Sequence, residues 1–320
     1  MAKIYIGIDG GGTHSTAVAV CPDGRAAAVV GGGGLNFYND GIPVVRERLY
    51  DMIRRLTEAS GGAEVESVCV GFSALDGPAD EKTVSAFASQ ELPASRLDFQ
   101  SDAYIALMGL TQGEPGVIVI CGTGSMLLMA DEHGRQTVSG GWGYLLNDAG
   151  SGYTLAREAL LAVIDQTDGM GPETVLTQDA MAHFSLAHPR ALIDVVYSPD
   201  FTPDKQASFA RFVLTRAAEG EPVAYEILRR NMDRLARLTA RLMEKSENVR
   251  LAGLYGGIFG HSELAKDLFS EALRRERGEV RIASPEYPPE LGAVIHLMKK
   301  HGGLSESALS LMKETYKSIS

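Results

Sequence analysis

Apolar residues run through positions 4–9 and again through 16–20, each a run of strand length, and between them stand Gly10, Gly11, Gly12 and Thr13. Strand, glycine turn and strand is the pattern of a hairpin. Apolar positions then recur at three and four residues over 43–58, which predicts an amphipathic helix, before "VESVCVGFS" (65–73) returns to a strand. A shorter helix is predicted over 80–90, then "SRLDFQ" (95–100) as a strand and "AYIALMGL" (103–110) as a helix. This alternation marks a layered α/β fold. Residues 113–116 read as a hinge into a second lobe.

The second lobe opens with "GVIVICGTGSMLLMADEHG" (116–134), again strand, glycine turn and strand. Set without gaps against each other, "GTHSTAVAVCPDGR" (12–25) and "GTGSMLLMADEHGR" (122–135) match at five of fourteen positions, at an offset of 122 − 12 = 110 residues. We read this as an internal duplication. From 152 to 246 the pattern is mostly helical, including the amphipathic stretch "VAYEILRRNMDRLARLTARLMEKS", which suits packing. A last α/β unit follows, with "VRLAGLYGG" and "EVRIA" as strands, a helix between them, and helices from about Pro289 and Ser305.

The length of 320 residues suits about two domains. A net charge of −11 disfavours nucleic acid, whose phosphate backbone demands clustered Lys and Arg. No segment has the length of a membrane span, and the first strand begins too early to leave room for a signal peptide, so a cytoplasmic protein is expected. Cys21, Cys69 and Cys121 are widely spaced without a C-x-x-C pair, and are expected to be core thiols.

The glycine turns are candidates for chemistry. The chain has no Gly-Lys pair for a P-loop, and the turn after Asp9 leads into strand-like "TAVAV", where a dinucleotide fingerprint requires a helix. In a hairpin turn free of side chains, successive N–H groups can converge on an anion, with Thr13 adding a hydroxyl. Two such turns could hold one polyphosphate, and the alternative is a pair of tight turns with no ligand. Three carboxylates stand near these features: Asp9, Asp102 and Asp148. Asp9 and Asp148 suit magnesium, which takes hard oxygen ligands. Asp102 suits either a helix N-cap or the base of a phosphoryl transfer.

The segments "IGIDGGGTHS", "QSDAYIAL", "VICGTGS", "GGWGYLLNDAGSGY" and "YGGIFGH", in this order, resemble the N-acetylglucosamine kinases, a branch of the BadF/BadG/BcrA/BcrD ATPase family within the actin, hexokinase and Hsp70 superfamily. The resemblance spans residues 4 to about 300. It implies a two-lobed actin-like α/β fold of duplicated ribonuclease H-like domains, with ATP and substrate in the cleft between lobes. The first lobe would comprise 1–113 completed by the helices of 293–320, and the second 114–292 with its helical insertion. It further implies that Gly10, Gly11, Gly12, Thr13, Gly122, Thr123, Gly124 and Ser125 hold the ATP phosphates and that Gly256 and Gly257 lie against the adenosine. Asp102 matches the catalytic base, and Asn36, Asp102, Trp142, Asp148 and Gly152 match the sugar pocket. Taken alone, "GGGGLN" (31–36) would be a flexible loop.

The activity implied is ATP- and Mg2+-dependent phosphorylation of an amino sugar, N-acetylglucosamine to its 6-phosphate, by a protein whose partner is the small sugar and for which a homodimer is open. Departures bear on the sugar: Asn147, Asp148, Ala149 and Gly150 stand where the branch carries Gly-Asp-Glu-Gly, and Tyr144 where it carries His. In "GFSALDG", Ala74 and Gly77 differ while Asp76 is kept. A related muramic-acid or glucosamine kinase is the near alternative. An activator of 2-hydroxyacyl-CoA dehydratases is another, but it needs cluster-ligating thiolates for which no cysteine pair presents itself. A sugar-responsive binding module without catalysis is the third.

Overall fold

The computed structural model describes residues 2–146 and 148–320. The described residues form ten strands: β1 (Lys3–Gly10), β2 (His14–Val20), β3 (Ala26–Gly33), β4 (Glu64–Phe72), β5 (Leu97–Ser101), β6 (Gly116–Cys121), β7 (Ser125–Ala130), β8 (Gln136–Gly140), β9 (Leu251–Tyr255) and β10 (Arg281–Ala283). They form two five-stranded sheets, ordered β3-β2-β1-β4-β5 and β8-β7-β6-β9-β10. Adding five to each strand number turns one order into the other. The duplication seen in the two glycine turns is thus a duplication of whole sheets.

Contacts divide the chain into two compact units, one reaching to Gly116 and resuming at Ser284, the other spanning Val117–Ala283. The changeovers therefore fall at 116 and 283, where sequence reasoning set them at 113 and 292. The second differs because the helix Pro289–Lys300 packs on β1 and on the helix Asp102–Thr111 of the first unit. Its His296 anchors it: Nδ1 lies 3.1 Å from the Tyr104 hydroxyl and Nε2 lies 3.0 Å from Asp98 Oδ2.

In the first unit β1 runs antiparallel to β2 and parallel to β4, which is parallel to β5. Ile4, Ile6 and Ile8, alternate residues of β1, are buried together with Val45, Leu49, Met52 and Leu56 of the helix Ile42–Ala59. That is the i, i+2 periodicity of a strand meeting the i, i+3, i+4 periodicity of a helix. Phe72, Phe87 and Phe99 close this core with ring centroids 5.0–5.8 Å apart.

The stretch 31–36 is not a flexible loop. Gly31 to Gly33 end β3, in register with Thr16, Ser15 and His14 of β2. Arg55 and Arg48 donate to the carbonyls of Gly31 and Gly34 at 3.0 and 2.7 Å. Pairing and two guanidinium clamps override the low strand propensity of glycine.

The second unit carries most of its helices between β8 and β9, the longest being Pro222–Met243, and the helix Glu263–Arg277 between β9 and β10. Ile227, Leu228, Met232, Leu235, Ala236 and Met243 form its buried stripe. Among the described residues, no helix is long and apolar enough to cross a membrane.

Candidate functional site

In the first unit the register pairs Gly10 with Phe72 and Phe72 with Ser101, so the C-terminal ends of parallel β1, β4 and β5 line up. Asp9 and Asp102 stand on that edge, where open α/β sheets bind ligands. The turn at 11–13 closes the β1–β2 hairpin, with Gly12 and Thr13 exposed. It is tied to the next segment by the Leu35 N–H, which donates to the Gly11 carbonyl at 3.0 Å. A side chain at Gly34 would meet the Gly12 carbonyl at 2.2 Å, so glycine there lets the backbone of this segment pack against the turn. Asn36 Oδ1 caps the short helix Phe37–Asp40, accepting from Tyr38 and Asn39 N–H at 3.0 and 3.2 Å.

Asp102 is not the cap of its helix. Ser101 is, its hydroxyl accepting the Tyr104 N–H at 3.2 Å. Asp102 is the first helical residue, and its Oδ1 accepts the Ala103 N–H at 2.6 Å. Burial pushes its carboxyl above the ordinary range, with a smaller push from Asp76. Asp9 is raised to about 6, first by burial, then by the charges of Glu290 and Asp102. Glu290, on the helix Pro289–Lys300, is buried and accepts the Tyr316 hydroxyl. Sequence reasoning missed it, because an acidic residue in a first helical turn is the ordinary partner of a helix dipole.

In the second unit the turn at 122–124 joins β6 to β7, and Asp148 lies against it: a Cβ on Gly124 would stand 3.0 Å from Asp148 Oδ2. Asp148 is buried, which raises its pKa against the lowering effect of the Gly143 and Ser125 N–H groups. Among the described residues, Asp148 Oδ1 has no hydrogen-bond partner. The segment is fastened to the turn by Ser125 Oγ donating to the Ala149 carbonyl at 2.8 Å and by the Gly152 N–H donating to the Gly122 carbonyl at 2.7 Å. Asn147 lies outside the described residues.

A cavity of about 310 Å3 is lined by Gly122, Thr123, Gly152, Gly257, Arg211 and His261 among others. It brings the turn together with one of the glycines expected at the adenosine, and Gly152 lies here with the turn. Gly256, at φ +99°, lies so close to β6 that a Cβ would meet the Cys121 carbonyl at 2.4 Å. Trp142 is 70% exposed, and Tyr144 packs on Tyr153 with ring centroids 4.9 Å apart. A depression of about 590 Å3 lined by Pro43, Arg46 and Tyr50 touches none of these residues. Cys69 and Cys121 are wholly buried and Cys21 partly so.

The model of the BadF/BadG/BcrA/BcrD ATPase family matches residues 6–296. The chain is 29% identical to an N-acetyl-D-glucosamine kinase of Dictyostelium discoideum, over 92% of this chain and 97% of that one. It is 27% identical to an N-acetylmuramic acid/N-acetylglucosamine kinase of Clostridium acetobutylicum, again over 92% and 97%. A solved structure from Chromobacterium violaceum, provisionally named an N-acetylglucosamine kinase, is 24% identical with a TM-score of 0.69, covering 92% of this chain and 99% of that one. At that identity the likeness speaks for the two-lobed fold.

Proposed function

As the chain belongs to the BadF/BadG/BcrA/BcrD ATPase family, we propose that it transfers the γ-phosphoryl group of ATP to an amino sugar, N-acetylglucosamine, giving the 6-phosphate. One observation carries this reading: two curated relatives that each align over 92% of this chain are named for N-acetylglucosamine, while a glucosamine kinase of Vibrio cholerae, 32% identical, aligns over only 70% of it. The protein would work in the cytoplasm, where ATP is held.

Phosphoryl transfer passes through a loose transition state, so positioning and electrostatics supply most of the catalysis. The turns at Gly10–Thr13 and Gly122–Ser125 would hold the phosphates with backbone N–H groups, and Gly256 and Gly257 would lie beside the adenosine. Asp102 would accept the proton of the attacking hydroxyl. Burial, which raises its pKa, makes it a better base, while the Ala103 N–H fixes one carboxylate oxygen and leaves the other to the substrate. Asn36, Trp142 and Asp148 would contact the sugar.

The donor set fits a hard divalent cation. Asp9 shares its surroundings with two further carboxylates, and Asp148 has an oxygen without a hydrogen-bond partner among the described residues. Asp9 and Asp148 would hold magnesium, which when bound neutralises charge on the transferring oxygens. An ATP-consumption assay over N-acetylglucosamine, glucosamine, N-acetylmuramic acid and glucose tests the whole reading. We expect magnesium-dependent turnover with the highest kcat/KM for N-acetylglucosamine. Failure with every amino sugar would leave a binding module, and equal kcat/KM for glucose would remove the assigned specificity.

A further inference from the structure

The helix Pro222–Met243 carries five arginines in its last four turns, and they fall into two sets. Arg229 is paired with Glu226 and Asp233, Arg230 with Glu158, and Arg241 with Glu244. Arg234 and Arg237 have no carboxylate within ion-pair distance among the described residues. Both line a cavity of about 580 Å3 together with Arg241, Leu238 and Ala149. In a chain of net charge −11, two unpaired guanidiniums facing one space are out of keeping with their surroundings.

The opposite wall is equally telling. Ala149 offers only a methyl group, so no side chain from the 148–150 segment fills the space or neutralises the arginines. The segment itself is held in place, the Gly150 N–H donating to Asn231 Oδ1 at 3.3 Å and the Cys121 thiol to the Gly150 carbonyl at 2.9 Å. The volume falls within the range of small-molecule sites. Guanidinium forks match phosphate oxygens two by two, and two unpaired positive charges match the two negative charges of a phosphate monoester.

From this geometry we infer that the cavity between Ala149 and Arg234, Arg237 and Arg241 binds a phosphate group, either of free inorganic phosphate or of a sugar phosphate. The site is separate from the glycine turns, since none of their residues lines it, and it stands whether or not the kinase reading holds. An anion there would bridge the long helix and the segment that carries Asp148, and so would report on the state of the phosphate turn through the Ser125–Ala149 hydrogen bond.

Calorimetric titration of the full chain at low ionic strength tests this, with inorganic phosphate and N-acetylglucosamine 6-phosphate as separate probes. Saturable binding is expected for the wild type, weakened about tenfold or more for each guanidinium removed in R234Q/R237Q. Both arginines are exposed, so that variant should melt as the wild type does. A149E, which supplies an internal carboxylate while leaving the arginines in place, should weaken binding as well. Equal affinity for the two probes would identify the free anion as the ligand, and tighter binding of the ester would identify the sugar phosphate. Absence of saturable binding to the wild type, or unchanged affinity in R234Q/R237Q, would overturn the assignment.

Discussion

Replacing Asp9 with Asn should make the metal-free protein more stable at alkaline pH while abolishing its magnesium-dependent activity. The carboxyl of Asp9 is raised from 3.8 to about 6 by burial and by the charges of Glu290 and Asp102. Because the folded-state pKa lies above the unfolded value, the protonated group contributes stability that is fully present below about pH 3.8 and lost as pH rises through 6. The difference of 6 − 3.8, about 2 units at 1.36 kcal/mol each, sets this at about 3 kcal/mol. An asparagine keeps the shape and does not ionise. At pH 8 in chelator, the D9N variant should therefore melt higher than the wild type by roughly 6–12 °C, at 2–4 °C per kcal/mol. The two melting curves should converge toward pH 4. Magnesium should raise the wild-type melting temperature at pH 8 and leave that of D9N unchanged. The test is differential scanning of both proteins from pH 4 to 8, with and without the metal. A variant that melts at or below the wild type at pH 8 in chelator would refute the reasoning, since the carboxylate would then have stabilising partners that outweigh its burial.

Three further outcomes are expected. Asp102→Asn should leave the melting temperature at or above that of the wild type, because Ser101 supplies the helix cap and burial already disfavours the Asp102 charge, while kcat falls about 100- to 10,000-fold; near-normal kcat would remove Asp102 as the base. Gly124→Ala should raise the KM for ATP and weaken the response to magnesium, since the added methyl stands 3.0 Å from Asp148 Oδ2, and an unchanged ATP titration would detach that turn from the phosphates. Trp142→Ala should alter stability by no more than about 0.5 kcal/mol, because the ring is 70% exposed, yet raise the KM for the sugar in a steady-state assay.

What the sequence disclosed was whatever is encoded within a dozen residues. The two strand, glycine turn and strand segments are local patterns whose repetition at a fixed offset was legible as a duplication; that it extends to two whole sheets with the same strand order was not. The third strand escaped because "AAAVVGGG" has little strand propensity of its own; β2 and two arginines from the following helix impose its conformation. The cap role, offered as the alternative for Asp102, falls to its neighbour Ser101, because a serine and an aspartate stand side by side there and either residue type can cap. Glu290 escaped for a deeper reason. Its effect on Asp9 exists only after the chain has passed through the second unit and returned, so that the helix Pro289–Lys300 lies on β1. Glycine turns hold ligands through the backbone and can be recognised in sequence, whereas the charge state of a carboxylate depends on every buried neighbour the fold assembles around it. The proton affinity of Asp9 is therefore set first by its burial and then by the charges of Glu290 and Asp102, all of which the tertiary fold supplies.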